Sequence, residues 1–108
     1  MLINWYLTGD DYISAHQDKT DKLIPGSSIV SISLNEGIYK RTFRVTKALI
    51  KDGKIVAGKK KSDIAIDLKV GNKDVVIMRG DMQKNYFHEI IKETTKGKRI
   101  NITFRKVI

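Results

Sequence analysis

Short β-favouring runs separated by turn residues constrain this chain more than any other feature. Leu2 to Leu7, Tyr12 to Gln17, Ser28 to Leu34, Arg41 to Thr46, Ile64 to Val70, Asp74 to Met78, Tyr86 to Ile91 and Arg99 to Val107 are mostly rich in Ile, Val, Phe, Tyr or Thr. Such branched and aromatic side chains suit a pleated surface. Between the runs stand Thr8-Gly9-Asp10-Asp11, Pro25-Gly26-Ser27, Asn35-Glu36-Gly37, Asp52-Gly53, Gly71-Asn72 and Lys96-Gly97, which carry turn chemistry. Many short strands at such spacing indicate an all-β sandwich or barrel. No long helical period interrupts them; the best fragment, Ala48 to Lys51, is caught between a strand and the Asp52-Gly53 turn. Lys47 to Ser62, with Lys59-Lys60-Lys61, reads as a solvated loop or hairpin at the rim.

At 108 residues, one domain spanning 1–108 with a modest core is expected. The chain is 41% apolar and 31% charged, enough apolar surface to offset chain entropy. A formal charge of +9 would steer a polyanion or a small anion toward it, although a basic composition also serves solubility alone. Without cysteine there is no disulfide, thiolate metal site or thiol nucleophile, so any metal must sit on His, Asp or Glu. No run approaches a membrane span, and Met1-Leu2-Ile3-Asn4 is too short for the apolar region of a signal peptide. An intracellular monomer is expected.

The only two histidines, His16 and His88, carry the chemistry. His16 belongs to His16-Gln17-Asp18 in an apparent strand, where side-chain alternation sends His16 and Asp18 to one side as neighbouring ligands. His88 from a distant strand would complete a 2-His-1-carboxylate triad, which leaves positions on Fe(II) open. Taken alone, H-x-D is a weak signal, because a strand histidine is more often an ordinary surface or core residue.

The run Arg99-Ile100-Asn101-Ile102-Thr103-Phe104-Arg105 adds a second signal, with Arg99, Asn101, Thr103 and Arg105 on one face and three apolar residues on the other. One reading is an amphipathic edge strand with its polar face in water. The other turns that row into the barrel mouth, where two guanidiniums separated by roughly 20 Å of strand reach toward a dianion such as a small dicarboxylate. Asn4 and Tyr6 share a face of the first strand and offer further donors.

These blocks resemble the AlkB-like Fe(II) and 2-oxoglutarate-dependent dioxygenases, which have a double-stranded β-helix or jelly-roll core. The resemblance rests on Asn4-Trp5-Tyr6, His16-Gln17-Asp18-Lys19, Pro25-Gly26-Ser27-Ser28-Ile29-Val30-Ser31-Ile32-Ser33-Leu34, Thr42-Phe43-Arg44, His88 and Arg99-x-Asn101-x-Thr103-Phe104-Arg105, in family order. Only about 45–73 matches no motif. The resemblance implies His16, Asp18 and His88 as iron ligands, Asn4 and Tyr6 as 2-oxoglutarate contacts, and Arg99, Asn101 and Arg105 as its carboxylate clamp. It implies Fe(II), 2-oxoglutarate and O2 as cofactors and co-substrate, with no catalytic residue beyond the metal site. For repair members it also implies alkylated DNA or RNA as partner, an N-methyl group being hydroxylated and lost as formaldehyde from a flipped or single-stranded base. Arg44 and the Lys59-Lys60-Lys61 run suit phosphate contacts, and the substrate positions are Arg44, Thr20 and Asp21.

Two departures stand out. Repair members place an acidic residue two positions after the iron-binding aspartate, where this chain has Thr20, with Asp21 next. They also carry a segment and a nucleotide-gripping lid before the barrel, whereas this chain begins almost at Asn4-Trp5-Tyr6; a fragment, an internal-start product and a minimal enzyme all fit. A basic barrel binding single-stranded nucleic acid without catalysis, and iron chemistry on a protein or other small substrate, stand as rivals. Trp5 and Phe87 are expected to be packing aromatics, Met78 and Met82 gap fillers, and Asp10, Asp11 and Asp52 turn residues, with loop 80–85 able to touch substrate.

Overall fold

The structure, a computed structural model, describes residues 2–21, 24, 26–79, 82–93 and 97–105. Pro25, Gly80, Lys96 and the expected strand end at Lys106-Val107 lie outside these residues. The strands are β1 (Leu2–Tyr6), β2 (Ile13–His16), β3 (Ile29–Asn35), β4 (Arg41–Lys51), β5 (Lys54–Ala57), β6 (Ile64–Val70), β7 (Val75–Met78), β8 (Tyr86–Ile90) and β9 (Arg99–Arg105). A 3-10 turn covers Lys61–Asp63, and a single helical turn, α1, covers Met82–Asn85.

The strands form two sheets, ordered β1-β9-β3-β7 and β2-β8-β4-β5, with β6 also paired to β4. Every pairing is antiparallel. From β1 to β4, and again from β7 to β9, consecutive strands alternate between the sheets, which winds the chain into the expected jelly roll. The core between them is Tyr6, Ile29, Phe43, Val45, Val70, Met78 and Ile90, with Ile13, Val76 and Met82 packed against it. Met78 and Met82 thus fill gaps as expected. Among the described residues no helix is long and apolar enough to cross a membrane.

The stretch between Lys47 and Ser62 is the hairpin alternative. Asp52 and Gly53 both have positive φ, 52° and 76°, and join Lys51 to its partner Lys54 as a two-residue turn. That geometry matches the twist of the flanking strands. Ala48 to Lys51, the best helical fragment in the sequence, is therefore strand, each residue paired across to 54–57.

The sheet built from β1, β9, β3 and β7 is inverted relative to an ordinary sandwich. Its inner face carries a buried polar row, Ser31, Ser33, Arg99, Asn101 and Thr103, beside the core residues Tyr6, Ile29, Val76 and Met78. Its outward rows are apolar. Strand β9 lies between β1 and β3, so the edge-strand reading of its polar face is overturned. Trp5 is likewise no packing aromatic: it sits on the outer face and is 67% exposed. Phe87 is half-buried.

Candidate metal centre and anion cradle

Strand β2 positions the first ligand through an irregularity. Ile13 pairs with Ile90 and His16 with His88, three steps on one strand against two on the other. The extra residue is a bulge that lets Ile13 and His16 both face inward. The strand ends at His16, so Asp18 arrives on irregular backbone and not by the strand alternation expected from the sequence. Two glutamines hold that backbone. Gln17 Nε2 donates to the carbonyls of Lys84 (3.2 Å) and Tyr86 (3.3 Å), and the Asp18 N–H donates to Gln83 Oε1 (2.8 Å), tying the segment to α1 and its exit.

Asp18 Oδ1 then lies 3.3 Å from His16 Nε2 and 3.4 Å from His88 Nε2. One ligand atom from each residue falls within 4.8 Å of the others, a cluster that could hold a metal ion. Two imidazole nitrogens and one carboxylate oxygen are the donor set of an open-sided Fe(II) site. His16 Nδ1 donates to the Ser14 carbonyl at 2.8 Å, which directs the other ring nitrogen at the cluster. His88 is buried and stacks on Phe43 with ring centroids 5.5 Å apart.

The charges support an ionised carboxylate. Burial works to raise the Asp18 carboxyl, but hydrogen bonds to His16 and His88 and the charges of His88 and Arg105 hold it well below the usual carboxylate range. The Asp18 hydrogen bond in turn raises His16 above its ordinary value, against burial.

Facing this cluster is a polar cradle from the inverted sheet. Register places Asn4 opposite Asn101 and Tyr6 opposite Arg99. Arg99 Nη2 donates to Ser33 Oγ at 2.8 Å, and its guanidinium sits 4.9 Å from the Tyr6 ring centroid. Asn101 Nδ2 donates to Ser31 Oγ, and Thr103 Oγ1 to Asn101 Oδ1 at 3.1 Å. Arg105 occupies the other end, its Nη2 3.4 Å from Asp18 Oδ2. Burial raises the Tyr6 phenol, opposed by Arg99, and burial lowers Arg99.

The cradle has donors to spare. Nε and Nη1 of Arg99 and Nε of Arg105 are buried without a hydrogen-bond partner among the described residues. Orphaned guanidinium N–H groups are costly. A small dicarboxylate dianion would satisfy them at both ends, so the residues present fit 2-oxoglutarate as they fit the iron. One cavity is lined by the three potential metal ligands and by Asn4, Tyr6, Arg99, Asn101 and Arg105 together.

Three sequence-derived positions do not join this cavity. Phe43 and Val45 of β4 belong to the core, so Arg44 between them lies on the outer face. There it makes a two-pronged contact with Asp67, at 2.8 and 3.0 Å. Thr20 and Asp21 are exposed on the loop after Asp18. Conversely, no motif or spacing points to Arg41, which is 0% exposed and lies 5.5 Å over Tyr6 on the side of Asp11 and Ile91. Ser31 and Ser33 could have been found, because they alternate with Val30, Ile32 and Leu34 along β3.

A family model described as the 2OG-Fe(II) oxygenase superfamily matches residues 1–105. The DNA oxidative demethylase ALKBH2 of Mus musculus is 27% identical over 111 residues, covering 100% of this chain and 43% of the relative. Its Homo sapiens counterpart is 27% identical over 111 residues, covering 100% of this chain and 39% of the relative. The chain thus spans about two fifths of the length of the curated relatives it matches. Since the family model runs through both sheets, the chain belongs to the 2OG-Fe(II) oxygenase superfamily, on its AlkB-like side, whose cofactors are Fe(II) and 2-oxoglutarate.

Proposed function

We propose that this chain is an Fe(II)- and 2-oxoglutarate-dependent dioxygenase that oxidatively demethylates N-alkylated bases in DNA or RNA, with His16, Asp18 and His88 as metal ligands. The observation that carries the reading is the opposition of that cluster to a cradle whose buried guanidinium N–H groups lack partners. Asn4, Tyr6, Arg99, Asn101 and Arg105 bind the co-substrate. Arg99, braced by Ser33 and Tyr6, anchors one carboxylate, and Arg105 neutralises the other beside Asp18. When bound, Fe(II) and 2-oxoglutarate would let O2 act as the oxidant, one oxygen atom hydroxylating a methyl group whose carbon then leaves as formaldehyde and the other going into the succinate formed from 2-oxoglutarate with loss of CO2.

The protein's own residues fix geometry and charge. The Ser14 contact orients His16, Gln83 and Gln17 fix the approach of Asp18, and Phe43 backs His88. A nucleic-acid substrate is supported by the names of the relatives and by the +9 charge. The exposed Lys59-Lys60-Lys61 run suits phosphate contacts, and Arg44, held by Asp67, is not carried into this reading.

Incubating the purified chain with Fe(II), ascorbate, 2-oxoglutarate and a methylated oligonucleotide should release formaldehyde, and His16→Ala should abolish it. Anaerobic Fe(II) and 2-oxoglutarate should give the weak visible charge-transfer band of the chelate. A band without turnover on any methylated oligonucleotide would retain the oxygenase and reject the substrate; no band in a folded, iron-loaded chain would reject the enzyme. Salt-sensitive oligonucleotide binding that survives loss of His16 and Asp18 would then favour a non-catalytic binding barrel.

A further inference from the structure

We propose that Arg41 is a positioning residue for co-substrate selectivity: acting through Tyr6, it favours a 2-oxo acid that carries a second carboxylate over one that does not. This rests on the reading of the cradle as the 2-oxoglutarate site. Arg41 opens β4 in one sheet and Arg99 opens β9 in the other. Each brings its guanidinium to the Tyr6 ring, 5.5 and 4.9 Å from the centroid. All three side chains are buried. Tyr6 and Arg99 line the cavity, and Arg41, with no exposed surface, acts on a bound ligand only by way of Tyr6.

Charge balance carries the argument. Two buried guanidiniums meet at one phenol, which is costly unless anions face them. Among the described residues, Glu93 is the one carboxylate paired with either, 3.8 Å from Arg41 Nε. One positive charge is therefore left over at the Tyr6 end of the cradle, and Nε and Nη1 of both arginines lack hydrogen-bond partners there. The carboxylate that Arg99 anchors, remote from the metal cluster, supplies the missing negative charge. A 2-oxo acid without it leaves the two cations uncompensated.

The neighbouring groups register this field. Burial lowers Arg99, and the like charge of Arg41 lowers it further. Burial raises the Tyr6 phenol, while Arg99 and Arg41 oppose it, so Arg41 makes that hydroxyl a better donor to a carboxylate. Arg41 is also fixed in place. Its Nη2 spans the carbonyls of Asp11 and Ile91, and Glu93 is held by the Thr42 N–H at 2.7 Å. A strut between two carbonyls needs only the two donors of an amide, not a cation beside a second cation.

The test titrates the charge-transfer band of the anaerobic, Fe(II)-loaded full chain with 2-oxoglutarate and with 2-oxobutyrate, which shares the 2-oxo acid end but lacks the second carboxylate. Arg41→Gln keeps two donors and removes the charge. It should weaken 2-oxoglutarate on the order of tenfold and leave 2-oxobutyrate within about twofold, and Arg41→Lys should restore most of the loss. In a Tyr6→Phe background the Arg41→Gln penalty should shrink. Glu93→Gln keeps an acceptor for the Thr42 N–H but removes the counter-charge, so it should tighten 2-oxoglutarate alone, which a mere strut would not do; this arm decides the matter if Arg41→Gln does not fold. Equal losses for both acids, a penalty undiminished in Tyr6→Phe, or 2-oxoglutarate binding not tightened in Glu93→Gln would overturn the proposal and leave the cradle standing. No 2-oxoglutarate binding by the folded, iron-loaded wild type would overturn the cradle and the proposal together.

Discussion

Arg105 Nη2 stands 3.4 Å from Asp18 Oδ2, while the other oxygen of that carboxylate faces both histidines. A cation on β9 is thereby coupled to the carboxylate of the proposed metal site. Removing it strips one end of the cradle and loosens Asp18. Arg105→Ala should weaken 2-oxoglutarate binding by about 1.5–3 kcal/mol, on the order of ten- to a hundredfold, the range for hydrogen bonds to charged groups. Titrating the charge-transfer band against 2-oxoglutarate measures this, and an unchanged midpoint would remove Arg105 from the cradle.

Metal affinity should fall in acid, because the His16 proton competes with the ion. In the metal-free chain the Asp18 hydrogen bond raises His16 above its ordinary 6.5. The protonated His16–Asp18 contact therefore stabilises the fold fully below that value and is lost as pH rises through the raised one. A metal ion needs the same nitrogen unprotonated, so binding competes with this proton. Asp18, held low, stays ionised across the range, and its contribution is lost only as pH falls through its depressed value. Calorimetric titration with Mn(II) should show proton release on binding, with affinity rising as pH climbs through the raised His16 value. A flat profile would contradict this.

Arg41 should matter for stability more than its absence from the metal site suggests. Its Nη2 donates to the carbonyls of Asp11 (2.7 Å) and Ile91 (2.9 Å), and its Nε lies 3.8 Å from Glu93. Arg41→Ala leaves those acceptors unpaired and a void under Tyr6. Urea denaturation should show a loss of about 3 kcal/mol, with Arg41→Lys recovering only part because an ammonium lacks the planar fork. A loss under about 1 kcal/mol would mean that water replaces the guanidinium freely.

Arg44 should behave oppositely, because its partner Asp67 is exposed. Arg44 holds the Asp67 carboxyl low, so the pair contributes above the ordinary carboxylate value and fades as pH falls. Solvent screening keeps Arg44→Ala to under about 1 kcal/mol in the same denaturation assay. In oligonucleotide binding, Lys60→Ala should reduce the salt slope by about 1 and Arg44→Ala should leave it unchanged. A reduced slope in Arg44→Ala would return that residue to the nucleic-acid surface.

Much of this was legible in the sequence because strand alternation is local. Arg99, Asn101, Thr103 and Arg105 share a face whatever the rest of the chain does, and Asp52-Gly53 specifies its own turn. Asp18 shows where locality ends. Its convergence with His16 was expected from a regular strand, yet the strand stops at His16, and glutamine contacts with α1 bring the carboxylate in. Those contacts span more than sixty residues of sequence, and no periodicity encodes them.

The amino-acid sequence by itself determined the strand-rich class, the two faces of β9, and the supply of two histidines, one H-x-D aspartate and two clamp arginines. Only the tertiary structure decided which face of β9 points inward, since alternation is symmetric between core and solvent until another sheet covers one side. It also decided that Arg41 is buried and that Arg44 is held on the outer face by Asp67, because burial and ion pairing belong to what the chain packs against. The exposure of Trp5 has the same cause: an aromatic in a strand packs only where something lies above it, and among the described residues nothing covers Trp5.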